Sequence, residues 1–539
     1  MSRAEPIPTL CPRAPRRETR RAGRRAALPL AAGVALALSA GAMRGQEAAA
    51  RVPPPDQVLA ELMQPTPATT GQPVSLDEAL ARAVQGAETV RIAEARVGRA
   101  RGQRRQARSE RWPQLFGTGS YTRTLASEFE DLSFDFGNGG DDDLGELPFG
   151  QRNQWRLGLD VEQTLWAGGR IAAGSAAADA ELAAAEVASA AARAEVALQV
   201  TEAYVDALLF DRLVAITRAT LELSETAYQH TRLAFEVGNQ SEFDLLRAQV
   251  ARDNQRPDLL QRTSDRDLVY VRLKQLLDLP ADQPVALTTG FEELLVWELP
   301  LERVEPPPAE PDARRAWMEA VVEARAPVRE ARAGVERQEQ RFRAARAERW
   351  PYFALTSDYG RVDYPESGVA DPLDMRTNWT VGAGFRVPLF TGGRVAGQMA
   401  VAEADLDEAR ARLDQMRELA RLDTQEALER LATAEAVWEA SAGTAGQAER
   451  AYRIADLRYR EGLSTQLELS DARVLLQQAL GNRALAARNL QVARARVALL
   501  PDLPLGGGAP LAVPPGAFPQ NLMPAPAGAG FTTTGSGGR

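Results

Sequence analysis

The sequence has a single cysteine, Cys11, and a single histidine, His230, among 539 residues. One cysteine cannot form a disulfide within the chain, and neither residue type is numerous enough to build a thiolate or imidazole metal site. We therefore predict no metal and no cofactor, and a packed or surface position for His230. No nucleophile motif, phosphate-binding loop, paired-histidine helix or dinucleotide fingerprint stands out, so nothing argues for an enzyme.

Aromatic residues are scarce, with 15 Phe, 9 Tyr and 8 Trp. Alanine, arginine, glutamate and leucine are abundant, and this composition suits extended helices better than a large globular core. The formal net charge of -9 gives no reason to expect a nucleic-acid partner. A mainly α-helical protein is therefore expected.

Long apolar runs are missing except near the N-terminus, so no helix is expected to span a membrane. The exception is the stretch 26–42, which follows a run of arginines and ends in small residues. We predict that residues 1–42 are a secretory signal peptide. A membrane anchor is the alternative, disfavoured because the stretch is short and rich in alanine. An exported chain of this kind can cross a bilayer only with strands.

Two copies of one helical pattern fill most of the remaining sequence. The first covers residues 168–237, and the second covers residues 392–461, 224 residues later. A continuous helix of this length would extend roughly 105 Å, since each residue adds about 1.5 Å. After a glycine-centred turn, each is followed by a returning helix, predicted at 242–278, with a kink at Pro257, and at 466–500. The chain is therefore predicted to be a tandem repeat of long helical hairpins.

Alternating apolar and polar residues precede each long helix. Residues 155–162 alternate between apolar side chains and polar residues or glycine, and residues 379–389 repeat the pattern. This alternation is typical of a strand with one apolar and one polar face. Each has a weaker partner upstream that follows a Trp-Pro pair, so each repeat supplies one β-hairpin, at 113–166 and 351–390.

Paired glycines stand between each hairpin and the long helix that follows it. Because glycine adopts positive φ without steric cost, each pair allows a tight turn from strand to helix. The residues predicted to form these turns are Gly168, Gly169, Gly392 and Gly393.

The two repeats are assigned to residues 75–278 and 312–500. Each begins with a helix that leads into its hairpin, predicted at 75–111 and 312–349. A helix start at Ser75 is indicated by the hydroxyl followed by acids, which the helix dipole favours. Pro327 is expected to bend the second leading helix.

Three segments outside the repeats have compositions that disfavour regular structure. They are a flexible leader at 43–74, a linker rich in proline and acids at 279–311, and a tail at 501–539 that is predicted to be disordered. Within the first hairpin, the acidic and glycine-rich segment 126–152 is predicted to be a flexible surface loop. A calcium site is the alternative there, although the acids do not match a helix-loop-helix calcium motif.

Four strands per chain cannot close a barrel, because a barrel needs about eight strands to hold its interior side chains. An open sheet edge in lipid would leave backbone groups unpaired. Several copies must therefore share one barrel, and three copies would give twelve strands.

Heptad spacing on the first long helix gives two offset seams, as expected for a helix with a neighbour on either side. The seams are Leu209, Ile216, Leu223, His230 and Val237, and Leu221, Tyr228 and Phe235. The alternative is a periplasmic coiled-coil scaffold or adaptor without a pore, which leaves the strands unexplained.

Residues 75–500 resemble the TolC-type outer-membrane efflux proteins, also called outer-membrane factors. The resemblance is carried by the doubled order of helix, Trp-Pro, two strands, Gly-Gly-Arg, long helix, glycine turn and returning helix. It implies a homotrimer with a twelve-stranded barrel in outer-membrane lipid and a tunnel of twelve helices in the periplasm. It also implies the exit duct of a tripartite efflux pump or type I secretion system. The helix tips would dock on a periplasmic adaptor, itself attached to an inner-membrane transporter of the RND, ABC or MFS type.

The resemblance also assigns roles at the helix tips. Family acids six and nine residues after the second tip glycine narrow the periplasmic end, and here they are Glu468 and Asp471. An acid six residues after the first tip glycine is latched to a tyrosine three residues before the second, and here these are Asp244 and Tyr459. The residues expected to dock the adaptor are Gly238, Asn239, Gly462, Leu463 and Ser464.

One tip residue departs from the family pattern. An arginine two residues after the second glycine usually adds a salt bridge to the latch, whereas this chain has Ser464 there. The resemblance therefore implies a weaker latch, or one that Arg458 or Arg460 completes. The alternative for all the tip acids is an ordinary solvated helix face.

Overall fold

The computed structural model describes residues 71–126, 152–290, 308, 310–365, 369 and 375–506. The predicted signal peptide, nearly all of the leader and the tail after residue 506 lie outside the described residues. The acidic loop, with its alternative calcium site, lies almost wholly outside them too. The described chain is mainly helical with few strands, which confirms the predicted mainly α-helical fold. None of its helices combines the length and the apolar character needed to cross a membrane.

The helices of the described residues are α1 (Leu76–Gly86), α2 (Glu88–Ser109), α3 (Arg170–Glu236), α4 (Glu242–Asp253), α5 (Gln255–Leu276), α6 (Pro311–Ala324), α7 (Ala326–Ala347), α8 (Arg394–Arg460) and α9 (Gln466–Leu499). The strands are β1 (Gln72–Val74), β2 (Gln114–Arg123), β3 (Asn153–Trp166), β4 (Val285–Leu287), β5 (Tyr352–Asp363) and β6 (Arg376–Arg386). The long helices α3 and α8 have 67 residues each, so both copies of the pattern form one continuous helix.

Each leading segment forms two helices, whereas one helix was expected in the first repeat and one helix with a bend at Pro327 in the second. Ala87 separates α1 from α2 and Arg325 separates α6 from α7, and both residues have an extended backbone with ψ of 127° and 136°. In the second repeat Pro327 explains the break, because its ring cannot follow a preceding helical turn. No proline lies near Ala87, so the sequence carried no comparable signal in the first repeat.

The first returning segment is interrupted near the proline that was expected to kink it. Helix α4 ends at Asp253 and α5 begins at Gln255, with Asn254 between them. Pro257 has no N–H group to donate to the carbonyl of Asp253, so the helical hydrogen bonding fails at this point.

The hairpin strands form one antiparallel sheet in the order β2-β3-β5-β6, so the two repeats meet where β3 pairs with β5. Tyr359 lies directly opposite Leu159 on one side and Trp379 on the other, which gathers apolar residues on one face. β6 ends at Arg386, before the predicted end near residue 389, because Pro388 cannot donate a ladder hydrogen bond. In the described chain β2 and β6 are the edges of this sheet.

The helices pack in two sets that share α3 and α8. Near the sheet the neighbours run α2-α3-α7-α8, and near the other end they run α5-α3-α9-α8. Helices α2 and α5 of the first repeat are therefore outermost on one side, and α8 of the second repeat is outermost on the other.

A short parallel pair of strands, β1 with β4, lies beside the middle of α3. The buried Tyr204 hydroxyl donates to the carbonyl of Val74 at 3.1 Å and accepts from the backbone N–H of Thr289 at 3.1 Å. Residues 72–74 and 285–287, assigned to the leader and the linker from composition, are thus held by backbone pairing that their composition did not reveal.

The joint between α6 and α7 is held by a buried ion pair. Arg325 is 0% exposed and donates to the carboxylate of Asp423 at 2.7 Å, which also accepts from Arg496 at 3.1 Å. The carbonyl of Pro501 accepts from the N–H of Ala326 at 2.7 Å. Residues 501–506, predicted as the start of a disordered tail, therefore pack against the helices.

Candidate functional site at the helix tips

Two glycine turns form the helix tips, at the ends of the long helices farthest from the sheet. Gly238 and Gly462 adopt φ of +82° and +72°, values that favour glycine. The N–H of Asn239 donates to the carbonyl of Ala234 at 2.8 Å, and Leu463 makes the equivalent bond at 2.8 Å. Both tips therefore end in the hydrogen-bond pattern of a Schellman motif.

Hydroxyl side chains then start both returning helices. The Ser241 hydroxyl accepts from the backbone N–H of Asp244 at 3.2 Å and donates to the Asp244 carboxylate at 2.6 Å. The Thr465 hydroxyl accepts from the N–H of Glu468 at 3.4 Å. Asp244 and Glu468 thus occupy equivalent positions in a first helical turn, where the helix dipole stabilises a negative charge.

Tyr459 has a different partner from the one that the resemblance implies. Its hydroxyl lies 2.7 Å from the Thr231 hydroxyl, which itself donates to the carbonyl of Ala227 at 2.8 Å, so Tyr459 is the donor. The Asp244 carboxylate is engaged by Ser241 instead. Burial, partly opposed by the Thr231 bond and reinforced by the charge of Asp244, raises the pKa of Tyr459. The described link between α8 and α3 is therefore a pair of hydroxyls.

The two arginines considered as replacements for the missing latch arginine bind elsewhere. Arg458 donates to the carbonyl of Leu463 at 3.4 Å, and Arg460 pairs with Asp456 at 2.8 Å. The Ser464 hydroxyl oxygen is buried and has no hydrogen-bond partner among the described residues. Within that part of the chain, no ion pair joins Asp244 to α8.

An apolar cluster fills the space between α3, α8 and α9 at the tips. Its buried members are Ile216, Ala219, Leu223, Tyr452, Tyr459, Leu469 and Leu476. Gln466 joins α9 to α4 beside it: in the amide orientation that satisfies both groups, it donates to the carbonyl of Asp244 at 3.3 Å and accepts from the N–H of Ala248 at 2.9 Å. The four tip helices therefore form one packed unit.

Glu468 and Asp471 lie on one exposed face of α9, away from the buried Leu469 and Leu476. Residues three apart on a helix are neighbours on its surface, so the two carboxylates form a local negative patch. Their role in narrowing a pore stays a prediction.

The heptad seams of the first long helix are buried only in part. Leu209, Ile216 and Leu223 are buried, whereas His230 and Val237 nearer the tip are exposed in the single chain. The surface position is one of the two expected for His230.

The strand-to-helix glycines also adopt positive φ, with +60° at Gly168 and +59° at Gly392. The next residue in each pair, Gly169 or Gly393, is the left-handed cap that precedes the long helix. Gly168 and Gly392 differ in their surroundings. A Cβ at Gly168 would lie 2.7 Å from the carbonyl oxygen of Ala347, whereas a Cβ at Gly392 would meet nothing within 4 Å.

Three residues that tie the tip together were not singled out from the sequence. Thr231 and Gln466 carried no signal, because polar residues are common on exposed helices. Arg473 did carry one: it stands four residues after Leu469 and three before Leu476, which places a charge on the apolar face of α9.

Comparison with known proteins agrees with this architecture of two helical hairpins and a shared sheet. The chain belongs to the outer membrane efflux protein family, whose model matches residues 79–278 and 317–501 and so covers both repeats. This confirms the family inferred from the doubled motif order, and with it the predicted location in the outer membrane, extending into the periplasm.

Several solved structures share the fold. CusC is 20% identical, with a TM-score of 0.64 over 79% of this chain and 91% of that one. VceC, an outer membrane protein of Vibrio cholerae, is 22% identical, with a TM-score of 0.62 over 79% and 95%. The outer membrane channel MtrE of Neisseria gonorrhoeae is 20% identical, with a TM-score of 0.64 over 80% and 89%. None of the curated proteins compared matches the chain.

Proposed function

We propose that this efflux protein is a passive exit duct formed by three copies of the chain. Three copies would contribute twelve strands to one barrel in the outer membrane, with the helices forming a tunnel across the periplasm. The tips would be opened by a periplasmic adaptor, and an inner-membrane transporter of a tripartite pump or type I secretion system would supply the energy. The duct itself would catalyse no reaction.

This proposal is carried by the two unpaired edges of the described chain, one supplied by each repeat. The sheet has β2 of the first repeat at one edge and β6 of the second at the other. The helices repeat this arrangement, with α2 and α5 outermost on one side and α8 on the other. When two different edges are complementary, copies join head to tail, and the assembly closes into a ring if the rotation permits.

Exposed apolar residues mark both helical edges. On α5 they include Leu260 and Leu268, and on α8 they include Leu422 and Ile454, all more than half exposed. Apolar surface of this kind on the outermost helices supports burial against a neighbouring copy. The apolar face of β6, where Trp379 is 70% exposed, supports contact with lipid.

The tips offer a surface for an adaptor. Val237, Phe243 and Leu463 lie at or next to the glycine turns and are each about 70% exposed. Apolar side chains grouped at the end of a long helical arm are suited to protein contact.

The decisive experiment combines mass determination of the detergent-extracted protein with recording in planar bilayers. A trimer that conducts ions and migrates differently on a gel before and after heating supports the duct. Disulfide scanning then tests the edges: Thr118→Cys on β2 is combined in turn with cysteine at Asn378, Thr380 and Gly382 on β6. Cross-linked trimers should form only when both edges carry cysteine, with Thr118→Cys alone as the control.

The competing function is a periplasmic scaffold or adaptor without a pore. A monomer that forms no conductance and whose migration is unchanged by heating would favour it over the duct. Adaptors have no strands in contact with lipid, so the heating assay separates the two functions directly.

A further inference from the structure

Arg473 is a buried cation without an acidic partner in the core of the tip. It is 6% exposed and lies on α9 between Leu469 and Leu476 of the apolar cluster. Its guanidinium donates to the Ser224 hydroxyl of α3 at 2.6 Å and to the Ser470 hydroxyl at 3.4 Å. Its Nε is buried without a partner, and no carboxylate of the described residues lies within ion-pair distance.

Arg325, the other buried arginine of the described chain, has different surroundings. Arg325 has the carboxylate of Asp423 at 2.7 Å, and it also donates to the Thr424 hydroxyl and the carbonyl of Leu503. The fold therefore supplies a counter-ion where the helices meet near the middle of the molecule, and only neutral oxygens at the tip. Burial lowers the pKa of Arg473, since the charged form loses its water without gaining an anion.

An uncompensated buried charge raises the free energy of the state that buries it. The contact that buries Arg473 is the packing of α9 against α3, because Ser224 lies on α3. Movement of α9 away from α3 would give the guanidinium water and remove this penalty. This gain in free energy would be partly offset, because the same movement would expose the apolar cluster to water.

We propose that Arg473 sets the opening equilibrium of the tip by destabilising the joined arrangement of α3 and α9. It acts through position and charge, not through contact with cargo. This inference rests on the proposed duct function, because it concerns the opening of that duct. It predicts that the arginine makes the joined tip less stable than an apolar residue of similar size would.

The test measures how often α3 and α9 separate in the full-length protein. Ala219, buried in the same cluster, is replaced by cysteine, with Cys11→Ala leaving it the only thiol, and the rate of maleimide labelling is recorded. Arg473→Leu should lower this rate roughly tenfold or more, because well-packed apolar replacements of buried ions are often stabilising. Ser224→Asp, which supplies a counter-ion, should lower the rate in the same direction.

The double variant tests whether the two effects have one cause. Ser224→Asp with Arg473→Leu leaves a buried carboxylate without a cation, so its labelling rate should exceed that of either single variant. Arg450→Leu is the control, because it removes the same charge from an exposed position on α8, where the side chain bonds only the carbonyl of Gly446 in its own helix, and it should change the rate less than twofold.

An unchanged or faster labelling rate in Arg473→Leu would overturn the proposal. If that variant fails to give a folded, heat-modifiable trimer, Ser224→Asp alone decides: a rate equal to or above the parent's contradicts the opening bias. Failure of the parent protein to conduct would instead count against the proposed duct, since labelling does not depend on conductance.

Discussion

The hydroxyl of Tyr459 lies 2.7 Å from the hydroxyl of Thr231, and this bond joins the two long helices near their tips. Both partners are buried and neither is charged. Salt screens interactions between exposed charges and has little effect on a buried neutral hydrogen bond. The joined tip should accordingly be less sensitive to ionic strength than one held by a surface salt bridge.

Tyr459→Phe removes this bond and keeps the aromatic ring. A neutral hydrogen bond contributes about 1 kcal/mol, so the joined tip should separate about fivefold more often. The labelling rate of Ala219→Cys measures this change. Tyr452→Phe is the matched control, since Tyr452 is buried in the same cluster. If both variants respond equally, the bond to Thr231 has no specific role.

Alkaline pH should favour separation of the tips. Burial raises the pKa of Tyr459 and of Tyr452 in the joined tip, whereas an exposed tyrosine titrates near 10. The protonated hydroxyls therefore favour the joined tip. Their contribution is fully present below pH of about 10 and is lost as the pH rises through the raised pKa values.

Conductance recorded between about pH 9 and pH 11 measures this effect, and it should increase with pH. The double variant Tyr452→Phe with Tyr459→Phe should lose most of the increase, since both buried phenols of the tip cluster are then gone. An undiminished increase in that variant would assign the pH dependence to other groups.

The two strand-to-helix turns should respond unequally to the same substitution. Gly168 and Gly392 have nearly equal φ, so alanine costs about 1–2 kcal/mol at each through backbone conformation. At Gly168 the added Cβ would also meet the carbonyl of Ala347 and the Cβ of Trp350, both at 2.7 Å, whereas nothing lies within 4 Å at Gly392. Chemical unfolding in detergent should therefore show a larger loss of stability for Gly168→Ala. Equal losses would mean that the crowding has no energetic consequence.

Neutralising the exposed acids of α9 should reduce cation selectivity. Glu468→Gln with Asp471→Asn removes two negative charges per chain, six in a trimer, from the face predicted to narrow the duct. The reversal potential in a salt gradient measures the change. Glu461→Gln alters an exposed acid at the same tip that lies outside the predicted constriction. A similar shift from this control would indicate a general surface-charge effect instead.

The order of helices, strands and turns along the chain was predictable because the sequence contains the same pattern in two copies. The 67-residue helices and the alternating strands have local patterns of apolar residues that identify them, and the turns are marked by glycine. The pairing of residues 72–74 with 285–287 was not predictable, since it joins segments about two hundred residues apart in the chain. The break at Ala87 was not predictable either, because no proline lies near it.

The features of the candidate site likewise fall into those that were predictable from local sequence and those that were not. The caps at Ser241 and Thr465 and the turn at Gly238 follow local rules. The bond from Tyr459 to Thr231 depends on how α8 lies against α3, which no local pattern specifies. Arg473 lies between these cases, because its position on an apolar face is visible in the sequence and its missing counter-ion is not.

The pairing of β1 with β4 has a consequence for the order of assembly. Both strands, and the tyrosine of α3 that bridges them, precede the second repeat in the chain. A polypeptide delivered N-terminus first can therefore pair β1 with β4 beside the middle of α3 before the second repeat arrives. The second repeat then packs against a first repeat whose strands are already paired, so a partly synthesised chain can become compact before the whole chain is present.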